Sequence, residues 1–325
     1  MILTGTGIIR GVGNSVSYNV VALNKGTTGV SAPATSPILS NDGVNWLGTT
    51  SVSTPTIWPV NSILYSNTSS NFVICAGRSG KEGWSYSSDG RVWTKSSTVT
   101  TRQQLVLIEG TNKAIPLIYK LISLANAYSR YSTDGGATWS AETSYSLAGG
   151  ATHIPATGVW NELSGLYISA GSGTNRVMYS GDGSNWTGVT IGSQNFIGGF
   201  YENSGGNAVF VSTGSMIYGN GITMTLGNLS GDTNFNITSI AYSPTQSKAI
   251  ATTTGTTGYI GNYTGLGGIT SLFPVIFNRI IWSTALSKWI GFGATTVYTS
   301  PAGLANTWTL VYTTSSITST QAVSK

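Results

Sequence analysis

Short runs rich in Val, Ile, Tyr, Phe and Trp alternate along the chain with clusters of Gly, Asn, Ser and Thr. Such runs predict strands, and the clusters between them predict turns. Asn61–Tyr65 is one strand, Ser66–Asn71 a turn and Phe72–Gly77 a buried strand; Trp84–Ser87 leads into a second turn and Val92–Lys95 leaves it. The same grammar recurs in Gly158–Asn161, Leu166–Gly171, Arg176–Tyr179 and Asn185–Val189. It returns again in Arg279–Ser283, Lys288–Gly293, Thr296–Thr299 and Thr307–Tyr312. Four short strands per unit predict an antiparallel meander. No segment of useful length carries a helical period.

The turn before the last strand of each unit has a fixed chemistry. Ser132-Thr-Asp-Gly-Gly-Ala-Thr-Trp139 is the fullest copy, and 40–46, 87–93 and 180–186 are one residue shorter. A short Asp side chain accepts hydrogen bonds from backbone N–H groups just ahead of it, and Gly supplies positive φ. The Trp opens the next strand with a large apolar surface. Asp42, Asp89, Asp134 and Asp182 are spaced by 47, 45 and 48 residues. Three degenerate copies follow at steps of 38, 42 and 39, around Asn220, Asn262 and Pro301, the last with Trp308 downstream.

That period suits one four-stranded propeller blade. The expectation is an all-β fold, a seven-bladed β-propeller of four-stranded antiparallel blades in one domain. The blades fall at about 1–52, 53–98, 99–146, 147–192, 193–233, 234–274 and 275–325. To close the ring, either Ile8–Val12 or the C-terminal tail must supply the opening strand of the first blade.

The repeat resembles the Asp-box family, also called bacterial neuraminidase repeats, whose pattern is Ser-x-Asp-x-Gly-x-Thr-Trp. Residues 132–139 match every position, and the resemblance covers nearly the whole chain. It implies that Asp42, Trp46, Asp89, Trp93, Asp134, Trp139, Asp182 and Trp186 are structural parts of the turn between the third and fourth strands. Asp-boxes occur in sialidases, other glycan-active proteins and many phage proteins, so the resemblance bears more on fold than on function.

Composition narrows the functional classes. Charged residues make up 8%, against about 25% in ordinary soluble domains. Yet Trp is 10 and Tyr 16 of 325 residues, so there is material for a core. A surface of hydroxyls and amides is common in exported and virion-surface proteins. The net charge is +5, but the basic residues are scattered, whereas a nucleic-acid reader would cluster them. The lone Cys75, in an apolar strand, reads as a small buried hydrophobe. The start, Met1-Ile-Leu-Thr-Gly-Thr-Gly, lacks the basic and apolar regions of a signal peptide, and no run is apolar enough to span a membrane. A phage or viral protein, made in the host cytoplasm and exposed after lysis, reconciles an external-type surface with a missing export signal.

The catalytic inventory is thin. Outside the turns the carboxylates are Asp232, Glu82, Glu109, Glu142, Glu162 and Glu202. Glycoside hydrolysis usually needs two of them facing one bond. The Arg-Ile-Pro motif of sialidases has one near match, His153-Ile-Pro155, which lacks the Arg. Seven arginines (Arg10, Arg78, Arg91, Arg102, Arg130, Arg176 and Arg279) are available for an arginine cluster of the sialidase kind. One His and one Cys exclude a usual zinc site, and one Asp per turn is too few hard ligands for calcium. No cofactor, metal, nucleic acid or membrane insertion is expected.

The reading is therefore a non-enzymatic virion tail or spike component that binds a host-surface glycan or receptor and contacts other virion proteins. The alternative is a secreted lectin or a sialidase-like glycoside hydrolase. Contact residues are expected in the more varied loops at the end opposite the Asp turns: Trp58, Arg78, Lys81, Glu82, Arg102, Tyr145, His153, Asn175 and Arg176. Aromatics beside amides and a few Arg suit sugar recognition. The competing reading packs Trp58 and His153 under their loops.

Overall fold

The computed structural model describes residues 18–24, 38–48, 60–76, 83–98, 105–112, 118–125, 128–145, 147, 152–174, 176–191, 195–202, 204–212, 214–230, 236–269, 272–314 and 320–324. They form 28 strands in antiparallel meanders. One sheet holds β1 (Val20–Asn24), β2 (Ile38–Ser40), β3 (Trp46–Gly48) and β28 (Thr320–Ser324); the next holds β4 (Val60–Ser66), β5 (Asn71–Ala76), β6 (Gly83–Ser87) and β7 (Thr94–Lys95). Then come β8 (Val106–Asn112), β9 (Ile118–Ala125), β10 (Tyr128–Ser132) and β11 (Thr143–Ser144), and β12 (His153–Asn161), β13 (Leu166–Gly173), β14 (Val177–Ser180) and β15 (Thr187–Val189). The chain continues through β16 (Phe196–Glu202), β17 (Asn207–Ser212), β18 (Ser215–Gly219) and β19 (Met224–Ser230) to β20 (Ile237–Ser243), β21 (Lys248–Thr253), β22 (Gly258–Gly261) and β23 (Gly265–Ile269). It ends with β24 (Arg279–Ser283), β25 (Lys288–Phe292), β26 (Thr296–Ser300) and β27 (Thr309–Thr313), before β28.

The first strand of each meander packs against the first strand of the next: β28, β4, β8, β12, β16, β20, β24 and back to β28. The fold is a β-propeller of small antiparallel four-stranded blades. The C-terminal strand β28 takes the inner place beside β1, from Val20 opposite Ser324 to Asn24 opposite Thr320. Of the two sequence candidates for that place, the C-terminal tail is therefore the one seen there; Ile8–Val12 lies outside the described residues.

The blade count needs a correction. Hydrogen bonding defines six sheets, not the expected seven, because β16–β19 and β20–β23 merge into one sheet of eight strands. The join is a parallel pairing of outer strands, with Asn228, Leu229 and Ser230 opposite Gly265, Leu266 and Gly267. An outer strand presents unpaired backbone groups that another strand can meet. β19 runs for 7 residues, against 2 or 3 for β3, β7, β11 and β15, and β23 is rich in glycine.

The core lies in the seams between consecutive meanders. Val21 and Leu39 of the first join Phe72, Ile74 and Trp93 of the second. Val73, Cys75 and Trp84 join Leu107 and Trp139 across the next seam, and Val106, Ile108 and Tyr145 join Tyr167, Met178 and Trp186 across the one after. The ring closes where Ile290 and Phe292 meet Val20 and Ala22, with Trp46 packed against them. In each full Asp turn the Trp thus fills the seam towards the preceding meander. Its indole N–H donates to the turn glycine's carbonyl at 3.0–3.2 Å.

The turn glycine faces the same seam. Gly90 has φ +80°, and a Cβ there would lie 2.6 Å from Val21 Cγ2. Gly90→Ala therefore combines a left-handed backbone with a clash against the neighbouring blade, and should cost about 2–4 kcal/mol. Trp139→Ala should cost about 3–5 kcal/mol through lost packing; Trp139 stacks on Trp84 at 4.6 Å between centroids. Denaturant midpoints check both, and a change under about 0.5 kcal/mol in either, typical of a neutral surface site, would refute the seam assignment. Cys75 is fully buried, and that burial pushes its thiol pKa up. It should resist a thiol reagent in the native state and react on unfolding.

Candidate functional site

The Asp turns use up their carboxylates internally. Asp42 Oδ1 accepts from the Val44 and Asn45 N–H groups at 2.8 and 2.7 Å and from Ser40 Oγ at 3.2 Å, while Oδ2 accepts from Asn45 Nδ2. Asp182 repeats this with Ser184, Asn185 and Ser180, and Asp89 with Arg91, Val92 and Ser87. In the longer copy Asp134 accepts from the Thr138 N–H and hydroxyl. The degenerate copies keep the geometry without the charge. Asn220 Oδ1 accepts from Ile222 and Thr223, and Asn262 Oδ1 from Thr264 and Gly265. At Pro301, Ser300 Oγ and Thr307 Oγ1 take over, accepting from Gly303 and Leu304.

A second turn repeats at the same end of the ring, between the first and second strands. Ser66, Asn161, Ser243 and Ser283 each accept from the N–H three residues on: Ser69, Ser164, Gln246 and Leu286. Glu202 does the same for Ser204 and Gly205. The residue four positions on has positive φ in all five, as Ser70, Gly165, Gly206, Ser247 and Ser287. These turns reach across to the Asp-type turns of the next meander. Asn161 and Ser164 donate to Asn220 O, Gln246 donates to Pro301 O, and Lys248 donates to Ala302 O. That end is an interlocked polar belt. The sequence reading placed Ser66–Asn71 as a turn but missed the repeated acceptor; its signal was a polar residue ending a strand, with Gly or Ser four residues later.

Of the other described carboxylates, Glu109 and Glu202 have similar duties, while Glu162 is exposed in the turn after β12. Glu109 accepts from Ser66 Oγ at 2.5 Å and from the Asn67 N–H at 3.0 Å. Burial would raise the Glu202 pKa, but bonds from Ser204 and Gly205 outweigh it and hold the group below its ordinary value. Glu142 pairs with Arg130 at 3.5 Å.

The expected contact residues are dispersed. Trp58, Arg78, Lys81, Glu82, Arg102 and Asn175 lie outside the described residues. Tyr145 is buried in the seam beside Trp186, and His153 is buried with Nε2 3.1 Å from Ser169 Oγ. Arg176 immediately precedes β14, the third strand of its meander, and donates to Asn195 Oδ1 ahead of β16, at the end opposite the Asp turns. The four described arginines occupy different settings. Arg91 is in a turn, Arg130 lies 5.8 Å from the Trp84 ring centroid, Arg176 pairs with Asn195, and Arg279 opens β24. Among the described residues, no three His, Cys, Asp or Glu side chains gather as a metal site requires.

A channel of about 810 Å³ runs between the inner strands. Its walls come from β4, β12, β16 and β20, with residues at the start of β8 and β24. Four inner strands carry a bulge near their start, at Val60/Ser62, Pro155/Thr157, Phe196/Gly198 and Ile237/Ser239. The extra residues, Asn61, Ala156, Ile197 and Thr238, all line the channel. A bulge bends its strand and re-aims a side chain; here four do so at the end opposite the Asp turns.

No family model and no curated protein matches the chain. Solved structures share its fold. A protein designated a 6-phosphogluconolactonase from Bacteroides uniformis is 11% identical with TM-score 0.64, over 94% of this chain and 100% of its own. YCF48 from Cyanidioschyzon merolae is 13% identical with TM-score 0.55, over 80% and 89%. The extracellular domain of a one-component system from B. thetaiotaomicron is 12% identical with TM-score 0.60, over 83% of this chain and 38% of its own. At these identities the likeness speaks to the fold alone.

The turn carboxylates make acid stability predictable. Backbone N–H bonds from Asn45 and Val44 hold Asp42 at a pKa of about 2; at Asp182 burial opposes, but bonds from Asn185 and Ser184 again bring it to about 2. Both values lie below the ordinary 3.8, so the stabilisation is complete above that pH and lost as pH falls towards 2. The melting temperature should drop across that window. A double Asp42→Asn/Asp182→Asn variant should keep its turns, as Asn220 and Asn262 do, and drop less steeply. An acid limb as steep as wild type would contradict this.

Proposed function

We propose that this chain is a non-enzymatic recognition propeller, a virion tail or spike component of the Asp-box kind that binds a host-surface glycan or receptor. We count the eight-stranded sheet as two blades, because β16 and β20 each hold their own place in the inner ring. On that count the ring has seven. The observation that carries the reading is the fate of the carboxylates. Asp42, Asp89, Asp134, Asp182, Glu109 and Glu202 all accept hydrogen bonds from turn N–H groups. A carboxylate so engaged is held in its turn and is not aimed at a substrate bond.

The interlocked end is formed of short turns, which leaves the opposite end for recognition. There the inner strands begin, the channel opens and Arg176 sits. Loops on a rigid scaffold are where binding residues concentrate. Incubation with sialosides and bacterial polysaccharides should yield no product. Purified protein should adsorb to host cells or to a glycan array, and a folded Trp58→Ala/Arg78→Ala/Arg176→Ala variant should adsorb at least tenfold less. Turnover abolished by Glu82→Gln or Glu202→Gln would overturn the non-enzymatic reading, and unchanged adsorption would move the contact surface elsewhere.

A further inference from the structure

We propose that the channel holds an anion site at Arg279, and that its ligand is a monocarboxylate whose body lies among the hydroxyl and amide groups of the wall. This goes beyond the host-surface reading and does not depend on it, since the residues are different.

Arg279 contributes to the channel wall from the first position of β24. The wall residues described are otherwise uncharged: apolar side chains, glycines, and the polar groups of Asn61, Ser62, Thr157, Thr238 and Asn278. No Asp or Glu is among them. Arg279 Nε is buried and has no hydrogen-bond partner among the described residues. Arg130 Nε is likewise buried without a partner, but the rest of that guanidinium is engaged by Ser140 O and Glu142; Arg176 has Asn195, and Arg91 is exposed in a turn. Burial lowers the Arg279 pKa, but a guanidinium starts so high that it stays protonated at neutral pH.

Arg279 is half-buried, and a cation partly withdrawn from water with no counter-charge among the described residues is unfavourable; an anion entering the channel relieves it. The planar guanidinium fork matches the two coplanar oxygens of a carboxylate. One cation with neutral neighbours balances one negative charge, which favours a monocarboxylate over a phosphate dianion. The channel volume, about 810 Å³, exceeds a carboxylate head and leaves room for a polar body. The bulges contribute in the same place: Asn61 and Thr238 are extra residues that line the channel, and Asn278 adjoins Arg279.

The test uses the whole chain and defined probes. Sodium gluconate, acetate and sulfate are titrated separately at constant ionic strength, with chloride as the balancing anion and glucose as the uncharged control. The Arg279 Nε–H resonance, assigned by its disappearance in Arg279→Lys, is followed alongside the melting temperature. Gluconate should shift the resonance saturably and raise the melting temperature, acetate should do so more weakly, and glucose should do neither. Arg279→Met should be at least as thermally stable as wild type without ligand, because it removes an uncompensated charge, and should bind gluconate at least tenfold more weakly. A flat wild-type titration would overturn the site, as would an equal response in Arg279→Met. Sulfate binding more tightly than gluconate would overturn the ligand class. If both variants fail to fold, the wild-type comparison of gluconate with glucose decides.

Discussion

The architecture depends on how closely two neighbouring blades can approach at an Asp turn. The turn delivers a glycine and an indole to the same seam. At Gly90 a single added carbon would lie within 2.6 Å of Val21, so the backbone itself is the packing surface. Trp93, three residues on, fills the seam beside it with Leu39 and Phe72. Gly136 repeats the approach against Val73, Gly221 against Ile168 and Gly303 against Ile250. Every seam so made fixes the angle between two sheets, and a ring closes only when those angles sum correctly. Gly43 against Leu286 makes the joint between the last meander and the first.

This dependence explains why so uncharged a chain is so rich in Ser, Asn and Thr. The meanders whose turns are described carry two tight turns at one end wherever one chain segment joins their first and second strands, and tight turns leave backbone N–H groups without strand partners. Short side chains meet that demand locally. Ser40, Ser87, Ser132, Ser180 and Ser300 each accept from the N–H of a turn glycine. Asp adds a stronger acceptor where the loop is exposed, and Asn replaces it at 220 and 262 with the same oxygen in the same place. The charge is thus a reinforcement of the turn, while the oxygen is its requirement.

The same logic sets what could be read from sequence. The Asp turns were legible because their bonds span two to four residues and their chemistry is written in contiguous letters. The first-to-second strand turns escaped because one job is done by Ser66, Asn161, Glu202 and Ser283 alike. Shared geometry without shared residue type leaves no motif. The fusion of two meanders into one sheet was invisible for a related reason: it is backbone pairing between β19 and β23, which side-chain patterns hardly encode. Tyr145 was read as a loop residue open to ligand, and His153 as either that or packed under its loop; each is buried, with Tyr145 in a seam. Polar or aromatic identity alone did not separate a contact residue from a packed one.

The channel was the hardest feature to foresee, because it depends on phase. Within a strand, side chains alternate between faces, and one extra residue reverses the order. Bulges at the starts of β4, β12, β16 and β20 make that reversal four times. The chain therefore brings Asn61, Ala156, Ile197 and Thr238 to one wall although their surroundings in sequence have little in common. Arg279 looked like one more scattered cation. Its setting comes from topology: it opens an inner strand, and inner strands begin at the end away from the interlocked turns. The turn end is committed to holding blades together, with its carboxylates and carbonyls already engaged. At the other end, Arg279 Nε is a buried donor that no described protein group accepts from.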